Sequence, residues 1–594
     1  MPELRGVKIS SRFASRTKVV SILFGAAATA LTAGTVSAAP GSDTTEIQEN
    51  VYTFSFAGNF LAARLARKEK DISRAADFYR RALNADPGNL DLLGQSFVLS
   101  AANGDIEEAA ELARQLLAVN PGNSLARLVT IVDAYQRSDY EAADKLLSTR
   151  PSRRLDRLTH GIIGAWMQYE RGHPRDAAKR LAGMGGAKWI TSNAAYHGGL
   201  LQILAGDYEK AAELLKRAHE EDPNVMRMLM AYAEALARMG KYDEALAAIG
   251  DFKRKSGTHA LIEDLEKRLA EKRLPEPVIT SARGGAAEIL YHIGSAIARD
   301  GQEVAAAYLQ LSQRLEANAI LPKIVLAGLY ERFKMHARAI DLLNEIPASS
   351  PLHMSAQVQV GLHYNSLENL KAARKHLSAI VDADPANLLA VRIYATVLRN
   401  HKLFADAAKV LEQGIATIGT PGREHWLLYY HRGICYERTD RWALAEADFQ
   451  QALELFPDQP HVLNYLGYSW IDKGMHLEKA LEMIKLAVAK RSDDGYIVDS
   501  LGWAYYRLRQ YDKAVEHLER AVELRPEDPV INDHLGDAYW RAGRHLEARF
   551  QWNHARDLKP EPDVLKIVLR KIAKGMEEEK ALAPKPESDG KKDG

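Results

Sequence analysis

One alanine position recurs every 34 residues along this chain, and that register constrains the fold more than any other feature. Ala75, Ala109, Ala143, Ala177, Ala211 and Ala245 keep the interval through six units, and Ala305, Ala339, Ala373 and Ala407 through four more. The prolines keep it too, from Pro87 to Pro121 and from Pro526 to Pro560. A fixed period of this length marks a repeat array in which each unit is one supersecondary element. As ordinary globular domains of ~100–200 residues, the chain of 594 would make roughly three to five. Read by its period it is about fourteen copies of one unit.

Between the trailing prolines the same residue types return. From Gly495 to Asp528 they are Leu501-Gly502, Tyr505, Tyr511, Ala514, Leu518, Ala521 and Pro526. From Pro529 onward they are Leu535-Gly536, Tyr539, Gly543, Ala548, Trp552, Ala555 and Pro560. The spacing predicts two helices in a hairpin, too small to bury its apolar face without a neighbour. Gly502 and Gly536 are expected where the second helix crosses the first, because a larger side chain would hold the two apart. Ala514 and Ala521 share one face of that second helix, and Pro526 cannot continue it. The pattern resembles the tetratricopeptide repeat, nearly completely in these two units. That resemblance implies an all-α fold, an α-α superhelix (solenoid) of helix-turn-helix repeats in two or three segments.

The phase divides the chain. Residues 56–259 form a first segment, whose unit around Trp166 is the most degenerate. A charged helical stretch with Pro275, Pro277 and Gly284-Gly285 makes 260–285 a linker between segments. Residues 286–421 carry weaker repeats and 422–562 the strongest. A helix at 563–580 is expected to cap the last repeat, since an end unit needs a polar outer face. The tail 581–594, with Pro584, Pro586 and mixed charges, reads as disordered.

The first residues read as an address. Arg5, Lys8, Arg12, Arg16 and Lys18 precede an apolar run from Val19, which closes on Val36-Ser37-Ala38. This is the order of a secretory signal peptide over residues 1–38, followed by a lead-in at 39–55. It predicts export to the periplasm, without a lipid anchor because no cysteine stands near the cleavage site. No later apolar run reaches ~18 residues, so no transmembrane helix is expected after cleavage. Lysine plus arginine is 79 against 78 aspartate plus glutamate, which excludes a strongly basic nucleic-acid binder. Cys435 is the one cysteine, which rules out an internal disulfide framework and a cysteine-pair zinc site. It falls in a helical pattern, where burial is expected.

No catalytic residue, metal site or cofactor is expected. The sequence has no H-E-x-x-H, no phosphate-binding G-x-x-x-x-G-K-[ST] and no G-x-S-x-G; Gly467-Tyr468-Ser469-Trp470 lacks the final glycine and sits mid-helix. The informative feature is aromatic asymmetry: Trp426, Trp442, Trp470, Trp503, Trp540 and Trp552 all follow residue 425. Trp442, Trp470 and Trp552 occupy places where the repeat takes a large core residue, whereas Trp503 and Trp540 lie off the core stripe. In the resembled family the first helices line the concave face, and their second, fifth, ninth and twelfth positions project into it. That stripe gives Asn464 and Tyr468, then Asp499, Trp503 and Tyr506, then Asp533, Asp537 and Trp540, with Arg507 and Arg541 flanking. Polar groups interleaved with aromatics suit an extended peptide or another protein.

Leu463-Asn464-Tyr465-Leu466-Gly467-Tyr468 followed by Asp499-Ser500-Leu501-Gly502-Trp503 adds a narrower resemblance, to exported tetratricopeptide proteins of Gram-negative bacteria. These include adaptor lipoproteins of periplasmic carboxyl-terminal processing proteases. The resemblance implies a non-catalytic periplasmic scaffold that presents substrates to, or organises, an envelope protease. The alternative is an accessory scaffold of an exopolysaccharide synthesis or export machine.

Overall fold

The computed structural model describes residues 55–149 and 153–577, and every regular element within them is helical. The expected signal peptide, almost all of the lead-in, the end of the expected capping helix and the tail lie outside the described residues. The chain divides into two compact units, between His376 and Leu377. That division falls inside the expected segment 286–421, and neither at the 260–285 linker nor ahead of residue 422.

In the first unit the helices follow one another as hairpins. These are α1 (Phe56–Lys68) and α2 (Ile72–Ala85), α3 (Leu90–Asn103) and α4 (Ile106–Val119), α5 (Ser124–Gln136) and α6 (Tyr140–Ser148). Next come α7 (Arg154–Glu170) and α8 (Pro174–Ala182), α9 (Lys188–Ala205) and α10 (Tyr208–Glu221), α11 (Met226–Arg238) and α12 (Tyr242–Ser256). A single helix, α13 (Ala260–Ala270), precedes α14 (Ala282–Ile297) and α15 (Gln302–Leu315), α16 (Ile320–Arg332) and α17 (His336–Asn344), and α18 (His353–Ser366). Helix α19 (Leu370–Ala383) spans the division.

The second unit continues with α20 (Leu388–Asn400) and α21 (Phe404–Ala416), α22 (Trp426–Glu437) and α23 (Trp442–Leu455), α24 (Pro460–Lys473) and α25 (Leu477–Lys490). It closes with α26 (Gly495–Arg507) and α27 (Tyr511–Leu524), α28 (Pro529–Arg541) and α29 (His545–Asp557), and a final helix, α30 (Pro562–Lys574).

The period is written in the backbone as well as in the side chains. Lys70, Gly104, Ser138, Gly172, Gly206 and Gly240, each 34 residues after the last, all have positive φ at the turn between first and second helix. A left-handed residue there reverses the chain in a few residues, which glycine does without steric cost. Aspartates then start the second helices: the Asp71, Asp139 and Asp207 side chains accept from the amides of Arg74, Ala142 and Lys210. The crossing glycines are as tight as the pattern requires. A Cβ on Gly502 would stand 2.5 Å from Leu518, and one on Gly536 would stand 2.4 Å from Trp552.

The first unit does not run on as an open array. The expected linker contains α13, whose Ile262, Leu265 and Leu269 are buried with Leu236, Ile249 and Phe252. Only 271–281 lacks regular structure, and α14 begins at Ala282. Beyond that stretch α14 and α15 turn back onto the first helices of earlier hairpins: α14 packs on α7 and α15 on α3 and α5. One hydrophobic core therefore runs from Ala63 to Val360.

Trp166 explains why its unit is degenerate. It is fully buried, and a Cβ on Gly285 of α14 would lie 2.2 Å from its ring. Polar groups fix the docking. Tyr196 Oη donates to Glu288 Oε1 at 2.9 Å, while Arg227 donates to both carboxylate oxygens at 2.8 and 2.7 Å. Burial alone would raise Glu288; the Arg227 guanidinium outweighs it and leaves the carboxyl at about 2. At the edges Arg67 donates to Glu303 (3.0 and 2.7 Å) and Arg314 pairs with Glu107 (2.7 Å).

Candidate protein-binding groove

In the second unit the first helices α24, α26 and α28 pack side by side, and Tyr430 of α22 packs on Tyr465 of α24. Their stripe positions repeat in register, because each hairpin stacks on the next with the same residues at the crossing. The ten residues expected to form the groove all lie on α24, α26 and α28, and the structure sorts them into two groups.

Four of them are covered by the chain itself. Lys571 of α30 donates to Asp533 (2.9 Å) and to Asp537 (2.7 Å), with all three side chains largely buried. Asp537 also accepts from Trp552 Nε1 at 2.9 Å. Burial pushes its carboxyl up, Lys571 opposes this, and the result is about 6. Trp540 stacks on His545 (ring centroids 4.2 Å apart), and a Cβ on Gly575 would lie 2.2 Å from its indole. Arg541 Nη2 donates to the Glu577 carbonyl at 2.6 Å. The open groove expected at Asp533, Asp537, Trp540 and Arg541 is thus corrected to a docking surface for α30. The reason is that an end repeat exposes its stripe to whatever chain follows, and here an amphipathic helix follows.

The other six surround one aromatic stack. Trp503 lies between Tyr506 (4.6 Å) and His534 (4.1 Å), both nearly parallel to it. His534 Nδ1 sits 2.9 Å from Asp499. Burial would lower the His534 pKa, but the Asp499 carboxylate prevails and raises it. Asp499 is therefore an internal partner of His534, which corrects its expected role as an acceptor for a peptide. Arg507 likewise pairs with Asp472 at 2.8 Å. Tyr468 is partly exposed beside them, and burial with the nearby Asp499 pushes its phenol up to about 12. Asn464 Oδ1 and Trp503 Nε1 are shielded from water and have no hydrogen-bond partner among the described residues.

Sequence reasoning missed three residues on the same face. Arg392 and Arg399 occupy in α20 the places that Asp499 and Tyr506 hold in α26, and His431 follows on α22. Ala407, in register with the other repeats, was the signal that could have located the arginines. Cys435 is buried and its thiol pushed up to about 11 by burial, so it is a poor nucleophile. In the first unit a cavity of about 500 Å³ is lined in part by Arg227, Arg268, Asp264 and Glu288. Those charges are paired with one another. No helix among the described residues is long and apolar enough to cross a membrane.

Models of the tetratricopeptide repeat match residues 66–130, 202–264, 426–459 and 500–557. Among curated proteins, tetratricopeptide repeat protein 13 of Homo sapiens is 29% identical over 195 residues, 32% of this chain and 21% of that one. TPR repeat-containing protein PA4667 of Pseudomonas aeruginosa is 30% identical over 121 residues, 20% of each chain. The chain thus spans about a fifth of the length of these curated relatives. Of solved structures, the APC/C hetero-tetramer Cut9–Hcn1 aligns over 86% of this chain and 96% of that one, at 16% identity and a TM-score of 0.35. The 34-residue register, the helical hairpins it encodes and the repeat models that match in both units lead to one conclusion: this chain is built of tetratricopeptide repeats.

Proposed function

We propose that the protein is a non-catalytic scaffold of the bacterial envelope that holds a protein or extended peptide in the groove of its second unit. One observation carries this reading: the two units differ in what fills the face lined by their first helices. In the first unit α14 and α15 pack there and merge into the core. In the second, the helix that docks back is α30, on the last hairpin; ahead of it Asn464 and Trp503 keep dry polar atoms without partners among the described residues, as several residues of the first unit also do. A buried polar atom without a partner costs about 1–3 kcal/mol, which a bound peptide backbone would recover.

The basic and apolar stretches of residues 1–38 support a periplasmic location. The Leu463–Tyr468 and Asp499–Trp503 stretches support an adaptor that organises an envelope protease or presents substrates to it. Affinity capture from envelope extract tests both, comparing wild type with Tyr468→Ala and Trp503→Ala. Recovery of a protease that both variants lose is the expected result. Recovery of polysaccharide synthase or export subunits instead would replace the protease reading, and an unchanged partner set in the variants would overturn the groove.

A further inference from the structure

The groove acids and the groove arginines are treated differently by the fold. Each of these carboxylates on the first-helix face has a partner from its own chain: Asp499 has His534, Asp472 has Arg507, and Asp533 and Asp537 have Lys571. Glu437, on α22, accepts from Tyr465 at 3.0 Å and lies 3.5 Å from Arg438. Arg432, whose side chain is largely buried, has Asp448 at 2.7 Å. Against this background Arg392 and Arg399 stand out. Neither guanidinium has an ion pair or hydrogen bond among the described residues, and the Arg399 Nε is shielded from water.

The two arginines are seven residues apart on α20, so they share one face about 10 Å from end to end. Both act on the same neighbour. The His431 pKa is lowered well below the ordinary range by burial first and then by the charges of Arg399 and Arg392, with no acid opposing them. Its Nδ1 is shielded and has no hydrogen-bond partner among the described residues. Tyr430 lies alongside, its ring centroid 5.8 Å from that of His431, and packs on Phe449, Tyr465 and Trp426. Two guanidiniums without an internal acid thus stand beside His431 and an aromatic cluster around Tyr430, at the α20 end of the first-helix stripe. A guanidinium without an internal acid is free to make strong, bidentate hydrogen bonds with a carboxylate arriving from outside.

We propose that Arg392, Arg399 and His431 form a binding site for an acidic protein segment, whose aspartate or glutamate side chains pair with the two guanidiniums. This rests on the groove reading above and names the chemistry of the partner. The segment enters at α20 with its carboxylates and continues past Tyr430 towards Tyr468 and Trp503.

Fluorescence anisotropy of the full chain with a labelled hexaglutamate peptide tests it, with hexalysine and Gly-Ser hexapeptides as controls. Hexaglutamate is expected to bind at least tenfold tighter than either control and to weaken with added salt. Arg392→Gln and Arg399→Gln should each weaken it at least fivefold, while Arg570→Gln on α30 leaves it unchanged. Thermal melts verify folding, and the variants should melt no lower than wild type because the removed charges have no internal partner. On peptide addition the His431 pKa, followed by NMR, should rise. Equal binding by the double variant, a preference for hexalysine, or binding of inorganic phosphate without hexaglutamate would each overturn the proposal. If the arginine variants keep the captured partners while Tyr468→Ala and Trp503→Ala lose them, this inference falls and the groove reading stands. If none of the four variants alters capture, the groove reading itself falls.

Discussion

At the scale of single residues, the second unit is closed by a lysine between two aspartates. Lys571 reaches Asp533 and Asp537 in a largely buried setting, and Asp537 is held at about 6 by burial against the pull of that lysine. Removing one partner from a buried pair leaves an uncompensated charge, so Lys571→Met should destabilise the second unit by about 3–5 kcal/mol. The sign of the pH effect follows from the direction of the shift. A carboxyl whose folded pKa lies above its unfolded value of about 3.9 contributes its stability fully below that unfolded value and loses it as pH rises through the folded one. The urea midpoint of the second unit should therefore be higher at pH 5 than at pH 7.5, and Asp537→Asn should remove most of the difference. Tryptophan fluorescence reads this, because Trp552 donates to Asp537 itself. A midpoint difference equal in wild type and Asp537→Asn would contradict the assignment.

At the scale of elements, the hairpins were legible and their later partners were not. Alanine register, crossing glycines and trailing prolines encode contacts within a unit and with the next one, and these contacts recur, so the period displays them. The return of α14 onto α7 happens once, between residues more than a hundred apart, and leaves no period. Its one local mark was the Gly284-Gly285 pair, read as a linker signal; in fact Gly285 lets α14 approach Trp166. The same distinction governs the candidate site. Trp503 and Tyr506 were visible as stripe positions, but His534 and Lys571, which partner the stripe's acids, lie off the stripe or on another helix. The docking of α14 can be measured. Gly285→Val places side-chain atoms where the Trp166 ring stands, and overpacking of this kind costs about 1–3 kcal/mol. The variant should lower the denaturation midpoint of the first unit and leave that of the second unchanged. No change in the first unit would mean that α14 is not seated on Trp166.

At the scale of the whole molecule, the account comes down to which repeat face meets other proteins. The first unit covers its own with α14 and α15, and the second covers only its last hairpin, with α30. Between α20 and α26 the stripe still carries polar atoms and guanidiniums that nothing among the described residues satisfies. The most direct measurement is site-specific photo-crosslinking in cells with a benzophenone amino acid, placed at Asn464 in the second unit and separately at Gln95 on α3 in the first. The account predicts adducts to other proteins from position 464, and from position 95 only links within the chain. Adducts to other proteins from position 95, with none from 464, would contradict it.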